Sequence, residues 1–164
     1  MMIEFKNIKL FEPGTFQTIV KSCYNDFLKL FPDEKENFYN QWEQEDRDVF
    51  TNLDTIGPCT FITCLDDTPV GCWSYDPRQH PVGIIGQNCI LPGYQNKGYG
   101  KRQIQAIIEI FKKKNYSEIK VSTGDIEFFL PAQRIYEKCG FVKNGCSKGD
   151  LFDLIEFNKL LNRN

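Results

Sequence analysis

From Gln95 to Lys101 the chain reads Gln-Asn-Lys-Gly-Tyr-Gly-Lys. Directly after it, Ile104, Ile107, Ile108 and Phe111 fall at i, i+3, i+4 and i+7, one apolar face of a helix. Glycine lets a ligand approach the backbone closely. The first-turn N–H groups of a helix have no internal partner, and its dipole places about half a positive charge beside them. Lys97 and Lys101 add full charges. The chemistry implied is binding of a phosphate or diphosphate. Upstream, Ile84, Ile85, Cys89, Ile90 and Leu91 supply the apolar side chains of a strand that Pro92 and Gly93 end. Lys112, Lys113 and Lys114 close the helix, where cations suit the negative end of its dipole.

Two familiar phosphate motifs fail here. The dinucleotide fingerprint needs glycine at position 103, where Gln103 stands. The Walker loop needs glycine at position 95 and a hydroxyl residue at 102, where the chain has Gln95 and Arg102. The pattern that fits is Q/R-x-x-G-x-G/A, carried by Gln95, Gly98 and Gly100. A second segment, Phe128 to Phe141, places Ala132, Ile135, Tyr136 and Cys139 at helical spacing, with Pro131 near its start and Gly140 just past its end. Ala132, Tyr136, Gly140 and Phe141 form A-x-x-x-Y-x-x-x-G-F. Together, in this order, the two motifs resemble the GNAT superfamily of acetyl-CoA-dependent N-acetyltransferases.

The resemblance implies an acetyl-CoA co-substrate and no metal. It implies pantetheine bonded to the backbone of Cys89, Ile90 and Leu91, as an added strand would be. The diphosphate would sit on the amides of Asn96, Lys97, Gly98, Tyr99, Gly100 and Lys101, with Gln95 at the loop entrance. Ala132 and Tyr136 complete the implied cofactor contacts. A primary amine of a small molecule or peptide attacks the thioester directly, and a backbone N–H at the end of the fourth strand receives the developing oxyanion. Tyr136 is the implied catalytic acid, since a phenol with pKa ~10 still holds its proton at neutral pH and can donate it to the departing thiolate. A packed aromatic is the bland reading of the same residue. The alternative function is a non-catalytic acyl-CoA-binding or regulatory module. Many relatives carry asparagine seven residues before this tyrosine; Phe129 stands there, which puts one cofactor contact in doubt.

The general base is not identified. Asp125 and Glu127 follow the fifth strand, and Gln87, on the fourth, could position a water but cannot take a proton. Glu43, Glu45, Asp46 and Asp48 share one segment and could attract a cationic amine, though a solvated helix face is the preferred reading. Cys89 reads as a buried structural thiol rather than an acyl carrier, with no histidine beside it in sequence.

The elements that must position these groups follow from the rest of the chain. Its 164 residues suffice for one domain with a core, assigned to 1–164. A net charge of −2 and a pI of about 5.5 argue against nucleic acid as a partner. The seven cysteines contain no C-x-x-C pair and an odd number cannot all pair, so reduced core thiols in a cytoplasmic protein are expected. His80, the only histidine, is expected in an exposed loop. The N-terminal stretch is too polar for a signal peptide and no apolar run is long enough to span a membrane. A homodimer is left open.

Pattern and spacing predict a strand at Ile3–Asn7, a helix from Phe16 to Phe31 that Thr15 caps, and a second helix from Lys35 to Val49 with Trp42 in the core. A hairpin follows, Thr60–Leu65 and Val70–Tyr75 across a turn at Asp66–Pro69. After the organising stretch come strands at Glu118–Ser122, Phe141–Cys146 and Leu151–Phe157. The order β-α-α-β-β-β-α-β-α-β-β is that of the GNAT fold. The expectation is an α/β (α+β) architecture, a mixed central sheet of about six to seven strands flanked by about four helices.

Overall fold

The computed structural model describes residues 2–161. The strands are β1 (Ile3–Asn7), β2 (Thr60–Leu65), β3 (Thr68–Asp76), β4 (Val82–Ile90), β5 (Glu118–Gly124), β6 (Val142–Ser147) and β7 (Leu154–Leu160). The helices are α1 (Thr15–Cys23), α2 (Asn25–Leu30), α3 (Lys35–Thr51), α4 (Tyr99–Lys113) and α5 (Leu130–Lys138). The seven strands run in the order β1-β2-β3-β4-β5-β7-β6. β4 and β5 pair parallel, whereas β1–β2, β2–β3, β5–β7 and β6–β7 pair antiparallel, so the sheet is mixed as expected. The chain divides into two compact units, one running to Ser74 and including Gln87–Tyr99, the other made of Tyr75–Gly86 and the chain from Gly100 onward.

In the first unit, α1 buries Phe16, Ile19, Val20 and Cys23, the i, i+3, i+4, i+7 face read from the sequence. The expected single helix from Phe16 to Phe31 is two. The apolar stripe continues through Tyr24, but the backbone there (φ −103°, ψ 16°) leaves helical geometry and α2 starts afresh. Hence there are five α-helices among the described residues rather than four. Tyr24 instead stacks on Trp42, ring centroids 5.5 Å apart. Trp42 lies in the core, as expected.

The cap of α1 also differs from expectation. Gly14, at φ 98°, holds the cap position, and the Thr15 hydroxyl donates to the Glu12 carbonyl. The free N–H groups of Gly14 and Gln17 go to Asp46 on α3, each at 3.0 Å. Asp66 and Asp67 both have positive φ (47° and 69°), the left-handed pair that closes a two-residue hairpin. β3 therefore resumes at Thr68, two residues before the expected Val70, with Pro69 inside the strand opposite Cys64 at a register shift.

In the second unit, α4 buries Ile104, Ile107, Ile108 and Phe111. Phe111 lies across Gly83 of β4, where an added Cβ would come within 2.5 Å of its ring. β5 is laddered to β7 over its whole length, from Glu118↔Leu160 to Gly124↔Leu154. β7 thus begins at Leu154, not at the expected Leu151. Phe152 does other work: its ring packs on Phe129 (5.5 Å) beside Gly124.

Candidate active site

The site is built from the end of β4. Its ladder with β5 runs from Val82↔Glu118 to Ile84↔Lys120. Ile85 to Ile90 continue the strand without pairing to β5. At the far end the Leu91 N–H donates to the Val70 carbonyl of β3 at 2.8 Å. In a pleated strand the polar groups of adjacent residues point to opposite edges. Those of Ile90 therefore face away from β3. The Ile90 carbonyl accepts from the Gln95 side-chain amide at 2.9 Å. Gln95 is thus a latch that fixes the loop to the strand end. Of Cys89, Ile90 and Leu91, the three strand residues expected to meet a cofactor, Ile90 is the one whose N–H is aimed at the free edge.

Between latch and helix, Asn96 (φ 62°) and Gly98 (φ 85°) both take left-handed backbone. A Cβ added at Gly98 would meet no atom within 4 Å. The glycine answers to backbone conformation, not crowding, and leaves space open over the loop. α4 begins at Tyr99, with Gly100 and Lys101 in its first turn. Lys97 is exposed, its ammonium 5.8 Å from the Tyr94 ring centroid. A left-handed loop opening into a helix with lysines at both sides is a fit cradle for a diphosphate.

The acidic stretch of α3 is not a solvated face, which corrects the preferred reading. Asp46 is 2 % exposed and caps α1. Glu43 pairs with Lys21 at 2.7 Å. Asp48, which is exposed, takes the Gln44 amide at 2.8 Å. Glu45 is half-buried, and its Oε2 accepts from Gln87 Nε2 of β4 at 3.3 Å while Oε1 accepts from Gln41 at 3.4 Å. No Lys, Arg or His lies within ion-pair distance of Glu45 among the described residues. Burial pushes its carboxyl above the ordinary range; the bonds from Gln41 and Gln87 oppose this, and Asp48 and Cys89 reinforce it. The sequence reading named Glu45 within the acidic segment without setting it apart from Glu43, Asp46 and Asp48. The signal was present, because Trp42, Glu45, Asp46 and Val49 share i, i+3, i+4, i+7 spacing, which puts two acids on the apolar face of the helix.

All seven cysteines are free, five of them buried. Cys72 and Cys89 have sulfurs 3.4 Å apart. Hydrogen bonds to Cys89, with burial, push the Cys23 and Cys72 thiols up, and the same bonds hold Cys89 down. Cys89 thus lies in a buried set of three thiols with Cys23 and Cys72.

In the second unit, Tyr136 lies on α5, 5 % exposed, its ring against Phe141 (5.8 Å) and Phe157 (5.6 Å). Ala132 is one turn earlier and half-buried. Between them, buried Gln133 donates to the Gly124 carbonyl at 3.0 Å and ties α5 to the end of β5. Phe129, at the position where asparagine was anticipated, is a packing residue against Phe128, Phe152 and Gly124. Asp125 and Glu127 are exposed. His80 is exposed too, with its ring edge-on to Tyr116. Among the described residues, no cluster of three or more His, Cys, Asp or Glu could hold a metal ion, and no helix is long and apolar enough to cross a membrane.

The acetyltransferase (GNAT) family matches residues 24–141, more than half of the chain. The chain belongs to that family. It is 40% identical over 75 residues to the "Uncharacterized N-acetyltransferase YsnE" of Bacillus subtilis (strain 168), a match covering 46% of this chain and half the length of that relative. Among solved structures, PH1933 from Pyrococcus horikoshii OT3 superposes with a TM-score of 0.73 at 19% identity, covering 99% of this chain and 100% of that one. The PaiA N-acetyltransferase from Thermoplasma acidophilum, in complex with coenzyme A, gives 0.68 at 20% identity, covering 98% and 100%. At these identities the likeness is one of fold.

Proposed function

We propose that this chain is an acetyl-CoA-dependent N-acetyltransferase that moves the acetyl group directly to a primary amine of a small molecule or peptide. The observation that carries the reading is the course of β4: a strand edge unpaired to β5 beyond Ile84, leading through a left-handed loop into the start of α4. The coenzyme A in the PaiA structure supports it, as does the acetyl-CoA bound in a GNAT family acetyltransferase from Elizabethkingia anophelis of similar fold (TM-score 0.57). Likeness over nearly the whole length supports one catalytic domain over 1–164. The free cysteines fit a reducing cytoplasm.

In this reading the open edge of β4 takes pantetheine as an added strand. The amides from Asn96 to Lys101, with Lys97 and Lys101, hold the diphosphate. Ile90 N–H donates to the thioester oxygen as it gains charge, and Tyr136 gives a proton to the departing sulfur. The test is release of free thiol from acetyl-CoA on adding amines. Tyr136→Phe is expected to lower turnover by roughly 10- to 100-fold with little change in acetyl-CoA affinity. Unchanged turnover would remove Tyr136 from the mechanism. Acetyl-CoA binding without thiol release by the unaltered protein would instead point to a binding module.

A further inference from the structure

An amine can attack only as a free base, and at neutral pH a primary amine is mostly an ammonium ion. Some group must hold that cation and take its proton. β4 offers none: from Val82 to Ile90 its polar side chains are those of Gln87, Asn88 and Cys89, and Cys89 is enclosed in its thiol set. The carboxylate that reaches this strand comes from α3. Glu45 is bound to Gln87, two residues before Cys89 and three before Ile90. Its acidic neighbours on α3 are engaged elsewhere: Glu43 with Lys21, Asp46 with the start of α1, Asp48 with Gln44. A half-buried carboxylate with two amide donors and no cation is one charge short of a neutral site.

We propose that Glu45 binds the acceptor's ammonium group and removes its proton, with Gln87 holding the carboxylate toward β4. This rests on the acetyl-transfer reading above. Glu45 takes one proton from the ammonium and passes it to water. The amine nitrogen then forms a bond to the acetyl carbon, and the carbon–sulfur bond breaks with its electron pair on sulfur. Tyr136 protonates that sulfur and is restored, through solvent, by the second proton lost from nitrogen. One acetyl-CoA and one ammonium ion give one amide, one thiol and one proton. The substrate class follows: cationic primary amines, in preference to hydroxyl or anionic acceptors.

The groups that set the titration of Glu45 are Asp48 and Gln41 on its own helix and Gln87 and Cys89 on β4, with Cys23 of α1 and Cys72 of β3 acting through Cys89. Burial leads in raising its carboxyl. The basic form works, so activity is present above the folded-state pKa and lost as pH falls through it.

The experiment measures kcat/KM against pH for a monoamine, a diamine and a tripeptide with a free N-terminus, in the unaltered protein, Glu45→Gln and Glu45→Asp, with acetyl-CoA affinity as the control. Glu45→Gln is expected to lose about a hundredfold in kcat/KM at pH 7, to lose the acidic limb of the profile, and to keep its acetyl-CoA affinity. Glu45→Asp should keep the limb at a reduced rate. Glu45→Gln with an unchanged rate and limb overturns the assignment. Loss of acetyl-CoA affinity along with the rate also overturns it, since the role would then be structural. An unaltered protein that binds acetyl-CoA but releases no thiol with any amine removes the transfer reading itself, and the assignment with it.

Discussion

Gly98 shows how a single residue can be required by backbone conformation alone. Its φ of 85° lies where side chains are strained, yet an added Cβ would touch nothing. Alanine there should cost about 1 kcal/mol of loop strain. With the loop as the proposed diphosphate cradle, that strain is expected as a roughly fivefold loss of coenzyme A affinity by titration calorimetry. Gly93→Ala is the control, since its surroundings are equally open and its φ is ordinary; equal losses in both variants would contradict the conformational argument. The loop was legible in the sequence because its glycines, lysines and helix lie side by side. Glu45 and Gln87 were each named from the sequence, but their pairing was not legible, because 42 positions separate them and only the packing of α3 brings them together. Tyr136 was legible as a motif position. What the sequence could not supply was its enclosure by Phe141 and Phe157.

The elements are coupled by caps as much as by packing. α1 has no side-chain cap of its own, and Asp46 of α3 serves instead. Asp46→Asn would keep one acceptor and turn the other into a donor facing an N–H group. A loss of about 1–2 kcal/mol is expected, seen as a melting temperature lower by about 3–6 °C. Asp48→Asn, at an exposed site on the same helix, should change it by less than about 2 °C; equal losses would remove the cap argument. Element boundaries were legible where one periodicity ruled: β1 and β2 were read from their first residue to their last. They failed where a side chain served two ends. The stripe from Phe16 to Phe31 kept helical spacing through Tyr24, though that ring is spent on Trp42. Leu151 and Phe152 read as strand because they are apolar, yet Phe152 covers Phe129 and the strand starts later.

Over the whole molecule the charge is −2, so cation-rich binding has to be local. Lys97 and Lys101 provide it at one place, where β4 gives way to α4. On the proposed reading, an acidic chain takes a polyanionic co-substrate there while offering a carboxylate, Glu45, to a cationic acceptor. The order of strands and helices was legible at this scale because the two motifs fix the elements on either side of them. The central claim is that the amides between Gln95 and α4 hold the diphosphate of coenzyme A. A crystal structure grown with coenzyme A tests it most directly. The diphosphate is predicted against the backbone from Asn96 to Lys101, with pantetheine along β4 beyond Ile84. Coenzyme A bound elsewhere, with that loop empty, would contradict it.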